Sequence, residues 1–203
     1  MKKYFLCFGA GVYQEYLVKK IKKIGFKTIS VDKSRFAPAL SRTDIKIIQS
    51  VNEVKKIKKR LTKLNLTSKI VGVLTQAARD STVSVAIFSK ILGLRSLNLK
   101  TTKLVLLKHK MGLKFNKDLN SKLYNYNEID KIKNNFPYVV KFLGKSGGNG
   151  NFYINSRKDL DRIKKKIKKE KNIYIEDFVK GRHFSIAGIR NGKKTKFICW
   201  KKK

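Results

Sequence analysis

Phe136-Pro-Tyr-Val-Val-Lys141-Phe-Leu-Gly144-Lys-Ser146-Gly147-Gly148-Asn-Gly150, followed by Ile173-Tyr-Ile-Glu176-Asp-Phe-Val-Lys-Gly181, decides how this chain is read. Aromatic and β-branched residues over 138–142 favour a strand, which carries Lys141 near its end and breaks into glycines. A second such run, 173–178, brings in the carboxylate of Glu176. Successive glycines free backbone N–H groups that wrap phosphate oxygens, and a lysine on a half-buried sheet adds a fixed positive charge. The loop is not a P-loop: no Lys-Ser/Thr follows at the required spacing, and it joins two strands instead of opening a helix. The plainer alternative is a hairpin turn, which glycine also favours.

Outward from this stretch, the second half mixes strands and helices. Residues 102–111 read as a helix ended by Gly112, and 119–135 as an asparagine-rich loop or short helix. A strand at 152–154 precedes a lysine-rich helix capped by Ser156, with Leu160, Ile163 and Ile167 on one face and Asp159 and Asp161 in its first turn. Strands 184–189 and 195–200 are joined by Asn191-Gly192, a strong hairpin signal.

The first half alternates instead. Strands are expected at 4–8, 27–31, 45–48 and 70–74, and helices at 13–24, at 54–64 behind an Asn52 cap, and from Ser81 or Thr82 to Leu92. Repeated βα units imply a parallel sheet with right-handed crossovers. The expected class is α/β: a Rossmann-like parallel sheet over residues 1–97, then an α+β domain over 98–203.

Gly9-Ala-Gly11, with Asp32 after the next strand, outlines a dinucleotide fingerprint, but Gln14 stands where the third glycine belongs. The pattern fits a tight βα turn or a small-ligand pocket better than an NAD site. His109, alone on a helix, reads as a surface residue.

The net charge of +37 first points to nucleic acid or an anionic membrane. Only nine of the 50 basic residues are arginine, however, and the lysines are spread along the whole chain. That distribution resembles the drift of an AT-rich genome more than a localised arginine and aromatic surface, so no dedicated nucleic-acid or membrane partner is expected. Cys7 and Cys199 are too few for a disulfide framework or metal site, and Cys7 reads as a buried hydrophobe. The apolar stretch at the start is too short for a signal peptide, and no run approaches the roughly 20 apolar residues of a membrane span. A cytoplasmic protein is the expectation.

The two quoted blocks, extended through Gly181-Arg-His-Phe184-Ser185, resemble the ATP-grasp superfamily, and the first half resembles the pre-ATP-grasp domain of its carbamoyl-phosphate-synthase-like members. The resemblance covers essentially the whole chain, and its specific part is residues 141–150 and 176–185. It implies ATP contacts from Lys103 and Lys141, a lid formed by Ser146, Gly147, Gly148 and Gly150, and an adenine laid along Glu176, Asp177, Phe178 and Val179. His183 stands where many members carry a ribose-binding glutamate. The activity implied is ATP-dependent joining of a small carboxylate to an amine through an acyl-phosphate, with Mg2+ as cofactor. The family's metal-binding carboxylates lie in a C-terminal portion without a counterpart here. None of the 13 acidic residues follows Asp177. The resemblance therefore implies a truncated or split ligase, inactive alone or completed by a second chain. The competing expectation is a non-catalytic module that binds nucleotide or polyanion.

Overall fold

The computed structural model describes residues 2–77, 79–115, 120–143, 149–168, 170, 172–182, 184–192 and 194–202. The chain divides into two compact units, Met1–Met111 and Gly112–Lys203.

In the first unit, β1 (Tyr4–Phe8), β2 (Lys27–Asp32), β3 (Ile45–Ile48) and β4 (Ile70–Leu74) form a parallel sheet in the order β3-β2-β1-β4. The crossovers after β1 and β3 carry α1 (Val12–Lys23) and α2 (Val54–Lys63), and α3 (Asp80–Ile91) and α4 (Leu99–Leu106) follow β4. The central strands are buried on both faces, so they read as continuous apolar runs. Leu6, Phe8, Ile29, Val31, Ile57, Leu61 and Phe88 form one core, each side chain stabilising the unit by about 1.5–3 kcal/mol relative to exposure. Cys7 lies in the same strand, fully buried, and burial pushes its thiol up to about 12. Gly25 and Gly93 close α1 and α3 with positive φ, +86° and +66°, the left-handed cap that glycine adopts at least cost.

Asp44 ties β2 to the turn before β3. It accepts from the Thr28 N–H at 2.9 Å, the Thr28 hydroxyl at 3.0 Å and the Lys27 ammonium at 3.0 Å. Burial alone would raise its pKa, but these hydrogen bonds and nearby Lys22 hold it below the usual carboxylate value. Because folding lowers this pKa, the stabilisation is complete above the unfolded value of about 3.9 and disappears as pH falls through the folded one. Asp44→Asn is expected to unfold at lower urea than the parent at pH 7, with the gap closing as pH falls below the usual carboxylate range. Parallel urea melts at pH 7 and below that range check this, and a gap of constant size would refute it.

In the second unit, β5 (Ser121–Asn125), β6 (Tyr138–Phe142), β7 (Asn151–Ile154) and β8 (Asn172–Asp177) pair antiparallel in the order β5-β8-β6-β7. α6 (Arg157–Ile167) starts at Ser156, whose hydroxyl accepts from the Asp159 N–H. It buries Leu160, Ile163 and Ile167 against Tyr138, Val140, Phe142, Ile154, Ile173 and Ile175 of the sheet. Strand alternation puts those sheet residues on one face.

Finally, β9 (Phe184–Asn191) and β10 (Lys194–Lys202) form a two-stranded ribbon. Phe184 and Ile186 share one face by strand alternation, and Gly188 of that face pairs with Phe197 of β10. The described apolar side chains of this face are exposed: Phe184 52%, Ile186 65% and Phe197 72%.

Several local expectations need correction. The span 102–111 is not one helix: α4 ends at Leu106, α5 (Lys108–Phe115) begins after Leu107, and Gly112 lies inside α5. A Cβ on Gly112 would fall 2.1 Å from the Tyr174 hydroxyl, so close packing, not capping, explains this glycine. The stretch read as loop or short helix holds β5 and a 3-10 helix, Tyr126–Lys131. Glu53, not Asn52, precedes α2, and the Asn52 amide donates to Asp80 at 2.9 Å. His109 is half-buried instead of freely exposed: its Nδ1 is enclosed without a partner among the described residues, and burial, with Lys110 beside it, holds its pKa below the ordinary value.

Candidate functional site

The face of the antiparallel sheet opposite α6 brings the chemistry of the second unit together. Register puts Val139 beside Glu176 and Tyr153, and Lys141 beside Tyr174 and Asn151. Lys141 and Glu176 are diagonal neighbours on this face and form an ion pair, with side chains 24% and 13% exposed. Pairing offsets the desolvation that either charge would meet alone. The lysine is thus held in place, partly open to solvent, near the end of the strand that the glycine run follows in sequence. Gly150 closes that run with φ +74°, and its carbonyl accepts from the Phe142 N–H at 2.7 Å, which pins the loop's return to the strand that carries Lys141.

Beyond Glu176 the chain leaves the sheet. Asp177 accepts from the Asn120 N–H at 3.2 Å and from its side-chain amide at 2.9 Å, which ties the end of β8 to the start of β5. Phe178 is anchored by its N–H to the Pro137 carbonyl at 3.2 Å. Its ring meets Tyr153 edge-on, centroids 4.7 Å apart. Tyr153 is 53% exposed, Phe178 37% and Val179 56%, so an apolar shelf stands open beside the ion pair. Such a shelf suits a flat base, and the charged pair suits a phosphate.

The predicted site residues are distributed as follows. Lys141, Glu176, Asp177, Phe178, Val179 and Gly150 belong to one sheet or its margins. Lys103 lies on α4 in the first unit, exposed. Ser146, Gly147, Gly148 and His183 lie outside the described residues. The sequence reading missed Tyr153 and Asn120. Alternation along 151–154 could have found Tyr153, whereas the Asn120–Asp177 link depends on a strand that was not recognised.

The first unit offers a second place for chemistry, at the carboxyl edge of its parallel sheet. Gly9 turns with φ +81°, and the Ala10 N–H donates to Asp32 at 2.8 Å. The other Asp32 oxygen accepts from the Ser34 N–H at 2.9 Å. Asp32 therefore braces the turn, which fits the tight βα turn or small-ligand pocket better than a ribose contact.

Two units of this build, a parallel βα layer and an antiparallel sheet bearing a lysine and a glycine run, are the fold of the ATP-grasp ligases. N5-carboxyaminoimidazole synthetase from Staphylococcus aureus, solved with ADP, superposes with a TM-score of 0.81 at 17% identity, over 100% of this chain and 55% of that one. The L-amino acid ligase of Bacillus licheniformis gives 0.77 at 17% identity, over 100% and 50%. In sequence, formate-dependent phosphoribosylglycinamide formyltransferase of Prochlorococcus marinus strain MIT 9515 is 22% identical, over 98% of this chain and 54% of its own length. The chain spans about half the length of the curated relatives it matches. No family model matches it.

Proposed function

We propose that this chain is the ATP-binding portion of a carboxylate–amine ligase, working in the cytoplasm on a small carboxylate and an amine. The observation that carries this reading is the partly buried Lys141–Glu176 pair on the sheet face opposite α6, flanked by the exposed Tyr153, Phe178 and Val179. Lys141 and the glycine run, Ser146, Gly147, Gly148 and Gly150, would hold phosphate oxygens, with Lys103 as a further cation. Phe178 and Val179 supply apolar contact and backbone groups for the base, and His183 a hydrogen bond for the ribose. Bound ATP would supply the phosphoryl group that turns a carboxylate into an acyl-phosphate, which the amine then displaces. The chain's own part is to fix the triphosphate and offset its charge.

Mg2+ does not fit the described residues. Among them no three His, Cys, Asp or Glu side chains converge, Glu176 is paired with Lys141, and Asp177 holds Asn120. Carboxylates for a metal would come from a second polypeptide or from sequence outside this chain.

A second reading, a non-catalytic nucleotide- or polyanion-binding module, is favoured by the charge of +37 together with that missing donor set. Salt separates the two. A site built from one face should bind ATP with ADP competing, and lose about tenfold or less between 50 and 200 mM salt. A diffuse lysine surface should lose about 10³-fold or more. Isothermal titration at both salts decides, and loss of the steeper kind would overturn the specific site.

A further inference from the structure

Read as sequence, the lysines are spread along the chain; the fold concentrates some of them at one place in the first unit. Strand β3 ends the parallel sheet, with no strand beyond it among the described residues. Between β3 and α2 lies a groove of about 480 Å³, lined by Lys46 and Ile48 on the strand side and by Lys56, Lys59, Arg60 and Lys63 on the helix side. Its charge is of one sign and mostly unanswered. Glu53, the nearby carboxylate, accepts from Gln49 and Lys56. The side chains of Lys46, Lys59, Arg60 and Lys63 hold no ion pair among the described residues. Lys56 and Arg60, like Lys59 and Lys63, stand four apart on α2, so like charges face each other along the helix. An anion bound beside them relieves that repulsion.

Spacing selects the anion. From Lys56 to Lys63 the helix rises about 10 Å, at 1.5 Å per residue, so the cations form a row and not a ring. A compact anion would engage only part of that row. A nucleic-acid strand advances about 3.4 Å per phosphate, so about three phosphates lie along it. A bilayer surface cannot enter a groove. Among the described residues no aromatic side chain lines it, which leaves no platform for stacked bases. Ile48, 44% exposed, offers apolar contact that reads no base.

We propose that the groove between β3 and α2 binds the phosphate backbone of a single-stranded nucleic acid, without regard to base sequence. Lys59, Arg60 and Lys63 meet its phosphates from the helix side, and Lys46 from the strand side. Only residues of the first unit take part, so the assignment does not depend on the nucleotide reading of the second.

Fluorescence anisotropy of a labelled oligouridylate, titrated with the full chain between 50 and 200 mM salt, tests it. Lys59→Gln, Arg60→Gln and Lys63→Gln together should lower the slope of log affinity against log salt by about 2, because each phosphate contact on a single strand contributes about 0.7. All three residues are exposed and their loss removes like-charge neighbours, so this variant should melt no lower than the parent. Should it fold poorly, Lys46→Gln alone is expected to lower the slope by about 0.7. A charge-matched control replaces the exposed Lys19, Lys20 and Lys23 of α1 with Gln and should keep the parent's slope. Equal loss in the two triple variants, or no loss in the α2 variant, would overturn the assignment. Phosphatidylserine vesicles and unlabelled oligouridylate are then compared as competitors at equal phosphate. Weaker displacement by the vesicles is expected, and displacement as strong as the oligonucleotide's would overturn the choice of a nucleic-acid strand.

Discussion

Lys141→Ala is expected to weaken ATP binding by about 10- to 100-fold, since a hydrogen bond to a charged partner contributes roughly 1.5–3 kcal/mol. The structure adds a second reason for a large effect. Removing the ammonium leaves Glu176, only 13% exposed, as an unpaired anion on the face that would receive the triphosphate. Like charges in a partly desolvated place repel strongly. The double variant Lys141→Met with Glu176→Gln removes both the attraction and the repulsion, so it should bind ATP better than Lys141→Ala alone. Calorimetry on the three proteins gives the answer. Parent-like affinity in a folded Lys141→Ala sample would end the case for this face as the nucleotide site.

Leu160→Ala should cost about 2–5 kcal/mol, the range for emptying a fully buried leucine position. Leu160 is 0% exposed and sits where α6 meets the sheet, among Ile154, Ile173 and Ile175. Because that core is closed within the second unit, the loss should fall there. Hydrogen exchange should show amides of β5 to β8 losing protection while β1 to β4 keep theirs, and ATP affinity should drop with the sheet. Equal loss of protection in both units would contradict the division into two cores.

The first unit was legible because its signals were redundant. Continuous apolar strands, the apolar stripe of α2 and a glycine after α1 and α3 all specify the same βα repeat, and the observed elements begin and end within a residue or two of the expected ones, although α1 buries Gln14, Val18 and Ile21 and leaves Tyr13 and Ile24 exposed. The ion pair was half legible. Lys141 and Glu176 were both named, but their pairing depends on the antiparallel register of β6 with β8, which places them diagonally. No local pattern carries that information. The strand β5 was hidden because Ser121-Lys-Leu-Tyr-Asn125 combines polar residues with only two apolar ones. It is an edge strand held by pairing with β8, so tertiary context outweighed its composition. The break between α4 and α5 was missed for a related reason. Helical periodicity runs through Leu107 unbroken, and nothing in the residue types announces the change of direction.

The β9–β10 ribbon also governs how this protein behaves in the tube. Its greasy side faces water at Phe184, Ile186 and Phe197, and what keeps neighbouring molecules apart is mutual repulsion between highly cationic particles. Buffers that screen this repulsion remove the colloidal barrier, since the Debye length shrinks from about 10 Å at 0.1 M to about 3 Å at 1 M. Concentrated stocks should therefore stay clear in dilute buffer and turn cloudy as salt is added.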